Sequence, residues 1–142
     1  MKNQVVARYQ DGRVVKGISL DVDPSRPVFH VREKDGPSVE VKLSDLKALF
    51  FVRSLDGNPG HNEKFAPDPK DPRSRGMALL TLRFDDGETI VGLTIRYPPN
   101  RPHFFVLPVD QESNNIRILV NRAAVVSMEE GSQVVQGELD VT

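Results

Sequence analysis

The sequence predicts an all-β protein of two tandem five-stranded small barrels, and three observations predict it. The chain repeats itself: RYQDGRVVKGISLDVDPSRPVFHV at 8–31 and RFDDGETIVGLTIRYPPNRPHFFV at 83–106 align at an offset of 75. Arg8, Asp11, Gly12, Gly17, Pro24, Arg26, Pro27, Phe29 and Val31 each meet an identical residue. The apolar period is two, as strands require. Each copy also carries an Asp-Gly step between alternating segments, a strong short-range hairpin signal because Gly accepts positive φ. Repetition at a fixed spacing constrains the architecture before any single motif does.

The elements follow in order. Val5, Ala7 and Tyr9 alternate with Val6 and Arg8, Asp11-Gly12 turns the chain, and Val14 to Leu20 resumes the strand. Leu80–Phe84, Asp86-Gly87 and Thr89–Ile95 repeat this hairpin. Gly17 and Gly92 fall mid-strand, where glycine usually marks a bend or a close backbone approach. Pro24-Ser-Arg26-Pro27 and Pro99-Asn-Arg101-Pro102 end the second strand, since proline donates nothing to a ladder. A third strand is expected at Val28–Arg32 or His103–Leu107, and a fourth at Val39–Leu43 or Ile116–Val120, after a loop two residues longer in the second copy. A polar step, Ser44-Asp45 or Asn121-Arg122, offers one helical turn before a last strand at Leu46–Val52 or Ala123–Met128. The expected units are thus 1–56, a Pro- and Gly-rich linker at 57–76, a second copy at 77–131 and a polar tail at 132–142 that frays.

Units this small bury only about 60% of their unfolded surface. The two copies are therefore expected to pack on each other or on other chains. The absence of cysteine removes disulfides and thiolate metal sites and fits a reducing compartment. No apolar run reaches the length of a membrane span, and MKNQVVARYQDG is too polar for a signal peptide, so a cytoplasmic protein is expected. The net charge of −1 gives no global field for nucleic acid. Residues 1–56 carry 10 basic and 8 acidic side chains, against 5 and 9 in residues 77–142.

The order of strand, Asp-Gly turn, strand with a bending glycine, Pro-rich break and three more strands resembles the Sm-like and SH3-like small barrels. VARYQDGRVVKG is similar to the first half of an Sm motif. The two-copy pattern also resembles an uncharacterised bacterial domain family in which an RPxFxL-type strand precedes an apolar strand pair. The Sm resemblance implies a barrel fold. Its RNA site does not carry over, because Leu43-Ser44-Asp45 and Val120-Asn121-Arg122 lack the expected Arg-Gly. Arg73-Ser-Arg75 suggests the PilZ barrels that bind cyclic dinucleotides, but the motif that follows it in that family is missing.

Arg26 and Arg101 are the candidate anion or partner contacts. Each stands in a stiff Pro-x-Arg-Pro break, where a guanidinium can grip a phosphate or carboxylate with little ordering cost. The alternative is that each closes its barrel by pairing with a local acid. Phe50, Phe51, Phe104 and Phe105 are the candidate exposed aromatic contacts, because adjacent strand residues face opposite ways. A contact between the copies is the expected use of the outward member. Asp11 and Asp86 are explained by turn chemistry. His30, His61 and His103 share no metal-ligand spacing. No catalytic residue, metal or cofactor is expected. The expected function is a non-enzymatic interaction or scaffold module that binds protein partners or self-associates through barrel edges and the Arg-Pro loops. A single-stranded RNA-binding module is the alternative, and a small-ligand or cyclic-nucleotide sensor the third.

Overall fold

In the computed structural model, which describes residues 2–131, the first alternating segment is β1 (Asn3–Tyr9) and the Asp-Gly turn delivers β2 (Val14–Ser19). Gly12 takes a φ of +96° and Gly87 one of +90°, the left-handed values for which these turns use glycine. β3 (Val28–Arg32), β4 (Ser38–Lys42) and β5 (Leu46–Val52) complete the first copy. β6 (Ala78–Phe84), β7 (Thr89–Thr94), β8 (His103–Pro108), β9 (Asn115–Asn121) and β10 (Val125–Glu130) repeat it. Single 3-10 turns at Leu43–Asp45 and Arg122–Ala124 stand at the two polar steps. The expected polar tail at 132–142 lies outside the described residues.

All ten strands join one antiparallel sheet in the order β10-β6-β7-β8-β9-β5-β1-β2-β3-β4. The all-β class holds, but the expected pair of closed barrels does not. Closing a copy would require its fourth and fifth strands to pair with each other. Instead β5 gives its free edge to β9 of the other copy, from Ala48↔Val120 to Phe51↔Arg117. The duplication therefore yields one continuous open sheet. Among the described residues, no helix is long and apolar enough to cross a membrane.

The strand registers also correct the alignment of the copies. Val28 faces Lys42 in the first and His103 faces Asn121 in the second, so the offset grows from 75 to 79 across the loop before the fourth strand. That loop is four residues longer in the second copy, not two. The same offset holds in the next pair, where Val5↔Phe51 becomes Leu80↔Glu130. Phe50 and Phe51 thus correspond to Glu129 and Glu130. The strand that joins the copies carries two phenylalanines, and its counterpart at the sheet's free edge carries two acids. Charge at an edge strand opposes indiscriminate pairing with other chains.

Adjacent residues of β5 supply different cores. Phe51 packs with Val5, Phe29 and Val31 of the first copy, whereas Phe50 packs with Leu80, Leu82 and Val106 of the second. The outward member of the pair is therefore a contact between the copies. The expectation that these rings are exposed is corrected: Phe50, Phe51 and Phe104 are buried, at 4%, 3% and 9%, and Phe105 is half-buried. Burying rings on both faces of β5 is what lets units this small share a core. Lys47, 7% exposed, reaches from the same strand to Asp86 at 2.6 Å and to Glu88, so the second copy's turn is also tied to the first.

The mid-strand glycines are close-approach positions. A Cβ on Gly17 would lie 2.2 Å from the Arg32 carbonyl oxygen, and one on Gly92 would lie 2.1 Å from a Val106 methyl and 2.7 Å from the Leu107 carbonyl oxygen. The third strand of each copy crosses over the second at this point. Gly92→Ala is expected to cost about 1–3 kcal/mol through overpacking. Urea unfolding followed by circular dichroism measures it, and a wild-type midpoint would contradict the crossing geometry.

Candidate functional site

The Pro-rich breaks lead from the second to the third strand of each copy, and beside each lies a surface cleft. In the second copy, β7 and β8 pair only at Gly92↔Pro108 and Leu93↔Leu107 before they part. The gap is a cleft of about 530 Å³ whose lining includes Leu93, Ile95, Phe104, Phe105, Arg101 and Arg117. Ile95, 84% exposed, stands at its surface. Arg96 and the half-buried His103 also line it, and Pro24 reaches it from the first copy's Pro-rich break.

The first copy has a cleft of about 460 Å³ at the equivalent place, lined by Lys2, Ile18, Leu20, Asp21, His30, Arg32 and Ser38. Under the corrected alignment every one of these residues has its counterpart in the second cleft. Ile18 and Leu20 stay aliphatic as Leu93 and Ile95. Lys2, His30 and Arg32 become Met77, Phe105 and Leu107, while Asp21 and Ser38 become Arg96 and Arg117. One fold position has therefore taken two chemistries.

The first cleft holds an internal pair, Asp21 with His30, while Lys2 and Arg32 in its lining have no side-chain hydrogen-bond or ion-pair partner among the described residues. His30 Nδ1 lies 2.7 Å from Asp21, whose other oxygen accepts the His30 backbone N–H at 2.9 Å. Desolvation pushes the Asp21 carboxyl up, but the hydrogen bonds from His30 outweigh it and hold the group below its ordinary value. The same hydrogen bond raises the His30 imidazole. The second cleft holds no such pair. Its lining contains no acid among the described residues, and Arg96 and Arg101 have no hydrogen-bond or ion-pair partner there. Arg117 stacks its guanidinium over Phe51 at 4.2 Å and Phe105 at 4.6 Å, which occupies its faces and leaves its N–H groups without an acceptor. The His103 Nε2 atom is buried without a hydrogen-bond partner.

The predicted site residues divide accordingly. Arg101, Phe104 and Phe105 come together in the second cleft. Arg26 is exposed beside Asp23, whose carboxyl is held low first by Ser25 and then by the Arg26 charge, and it lines neither cleft. Phe50 and Phe51 belong to the joint between the copies. Arg96 and Arg117 were not foreseen. The available signal was their position: Arg96 replaces Asp21 in the repeat, a reversal of charge.

One further cluster joins the linker to the second copy. His61, Glu63 and Asp110 place one ligand-type atom each within 4.8 Å of one another. The side chain of Asp110 is 2% exposed and already accepts from His61 Nε2 at 2.7 Å and from the Lys64 and Glu112 backbone N–H groups. These bonds account for its oxygens as a clamp that fastens the linker. Asp71 acts likewise further on, accepting from Arg73 at the start of the Pro72–Arg75 turn.

The chain belongs to a family of unknown function (DUF6982), whose model matches residues 1–131 and so spans both copies. No curated protein and no solved structure matches the chain.

The Asp21–His30 pair makes a prediction about pH. His30 is raised above its ordinary 6.5, so its stabilisation is complete below that value and is lost as pH rises through the folded value. Asp21 is lowered from 3.8, so its share is present above that value and is lost as pH falls through the folded value. The pair therefore stabilises most between about pH 4 and 6.5. His30→Phe, which installs the second copy's residue, is expected to flatten the fall in melting temperature above pH 6.5. An unchanged profile would show that the pair is energetically idle.

Proposed function

We propose that the protein is a non-enzymatic binding module whose working surface is the cleft of the second copy, and that the first copy serves as its scaffold. The observation that carries this reading is the set of equivalent positions where the first copy places an acid paired with His30, beside Lys2 and Arg32, and the second places arginines and apolar side chains with no acid. Arg96 and Arg101 stand exposed and Arg117 half-buried, so an anion entering the cleft meets accessible guanidinium N–H groups beside apolar surface. The chemistry therefore suits a partner that presents an anionic group on an apolar body. The strand order shared by both copies supports kinship with the Sm-like and SH3-like small β folds, opened here into a common sheet.

Association through sheet edges is a weaker form of the interaction reading. β4 and β10 are the outer strands, but Glu129 and Glu130 stand where the joining strand has phenylalanines. Sequence-independent RNA binding is weaker again, because the cationic groups form one cleft and no basic stripe tracks a backbone.

The test uses an aromatic sulfonate, 8-anilinonaphthalene-1-sulfonate, as a probe of the full chain. Saturable one-to-one binding is expected, weakened on the order of tenfold by combined Arg96→Ala and Arg101→Ala. Arg26→Ala is expected to leave it unchanged. If Arg26→Ala weakens the probe as much as the paired change, the cleft is not the working surface.

A further inference from the structure

The second cleft carries three arginines and no acid among the described residues, and this narrows its ligand. Arg96, Arg101 and Arg117 line it, and each offers N–H groups that no acceptor uses among the described residues; the His103 Nε2 atom is unpartnered as well. The Thr94 hydroxyl donates to the Phe105 carbonyl at 3.2 Å, which leaves its oxygen as an acceptor. Three guanidiniums with no carboxylate beside them favour a ligand that carries negative charge over an uncharged extended peptide. A phosphate only accepts, and guanidinium forks match it bidentately.

The apolar part of the lining is aromatic as well as aliphatic. Phe105 lies 6.0 Å from Phe51, and Arg117 is held over both rings, so aromatic and guanidinium planes are already fixed beside the opening. Met77, Leu93 and Leu107 supply the remaining wall. A planar heterocycle can stack on such a surface with few internal rotations to lose. A cleft of about 530 Å³ is in the range that holds a drug-sized molecule.

Resting on the binding reading above, we propose that this cleft takes a nucleoside phosphate, with the base against Phe105 and the phosphate among Arg96, Arg101 and Arg117. The first copy is expected to bind it less well. Its equivalent cleft puts Asp21 where Arg96 stands, and an acid at that point repels the phosphate.

The experiment is calorimetric titration of the full chain with adenosine and guanosine 5′-monophosphates, with adenosine and with inorganic phosphate. At least one nucleotide is expected to bind at least tenfold more tightly than adenosine or phosphate alone. Arg101→Ala is expected to weaken it on the order of tenfold, Arg96→Asp to abolish it, and Arg101→Lys to restore it only in part. Affinity is also expected to fall as salt rises. Nucleotides that bind no better than phosphate, or variants without effect, overturn the assignment. An acidic aromatic peptide that binds while nucleotides do not overturns it too. Displacement of the sulfonate probe separates the two claims. If the probe still binds but no nucleotide displaces it, the ligand class is wrong and the surface stands. If neither binds, the binding reading itself fails.

Discussion

The structure depends on one pairing, β5 against β9. Without it each copy is a curled half-sheet with an unpaired edge and a core too small to carry the entropy of folding. With it, β5 becomes an interior strand flanked by β1 and β9 and apolar on both faces. Phe51 fills one core and Phe50 the other, so the strand is structural for both copies at once. The joint is reinforced where backbone pairing ends. The buried Asn121 amide donates to the Leu46 carbonyl at 2.9 Å, and Asn114 exchanges two hydrogen bonds with the backbone of Ser54. Lys47 adds its ion pairs to the second copy's turn. Two repeats have become one folding unit.

That union accounts for how differently the copies are decorated. Once stability is held in common, neither copy needs to meet every demand alone, and equivalent positions are free to diverge. The outer edge strand replaces phenylalanines with glutamates. The first cleft sets Asp21 against His30 beside Lys2 and Arg32, whereas the second has arginines and no acid among the described residues. Most residues preserved between the copies serve the fold, as the turn glycines, the crossing glycines and the prolines do; Arg101 is preserved as well, but Arg26 lines neither cleft. Residues that reverse their chemistry are where a specific role is to be found.

Much of the local structure was legible in the sequence. Asp-Gly steps, period-two alternation and proline breaks are local signals, and each hairpin follows from them. The joint was not legible, because whether a fifth strand turns back to its own fourth or crosses to another copy depends on long-range packing. Phe50 and Phe51 hinted at it as an apolar pair on both faces of one strand. The alignment faltered at the loop before the fourth strand, since insertions there leave no local trace, and this hid the match of Phe50 and Phe51 to Glu129 and Glu130. Arg101 was found because it is repeated. Arg96 and Arg117 were missed because they are not, and a search for identities passes over reversals.

The most direct test of a shared fold is native-state hydrogen exchange across the whole chain. If β5 and β9 bind the copies into one unit, the slowest amides of β1, β5, β6 and β9 exchange with a single free energy, equal to that of global unfolding. They should also respond together when Phe50→Ala loosens the joint. Two groups with separate free energies, one in residues 3–52 and one in 78–130, would contradict it and restore the picture of independent domains.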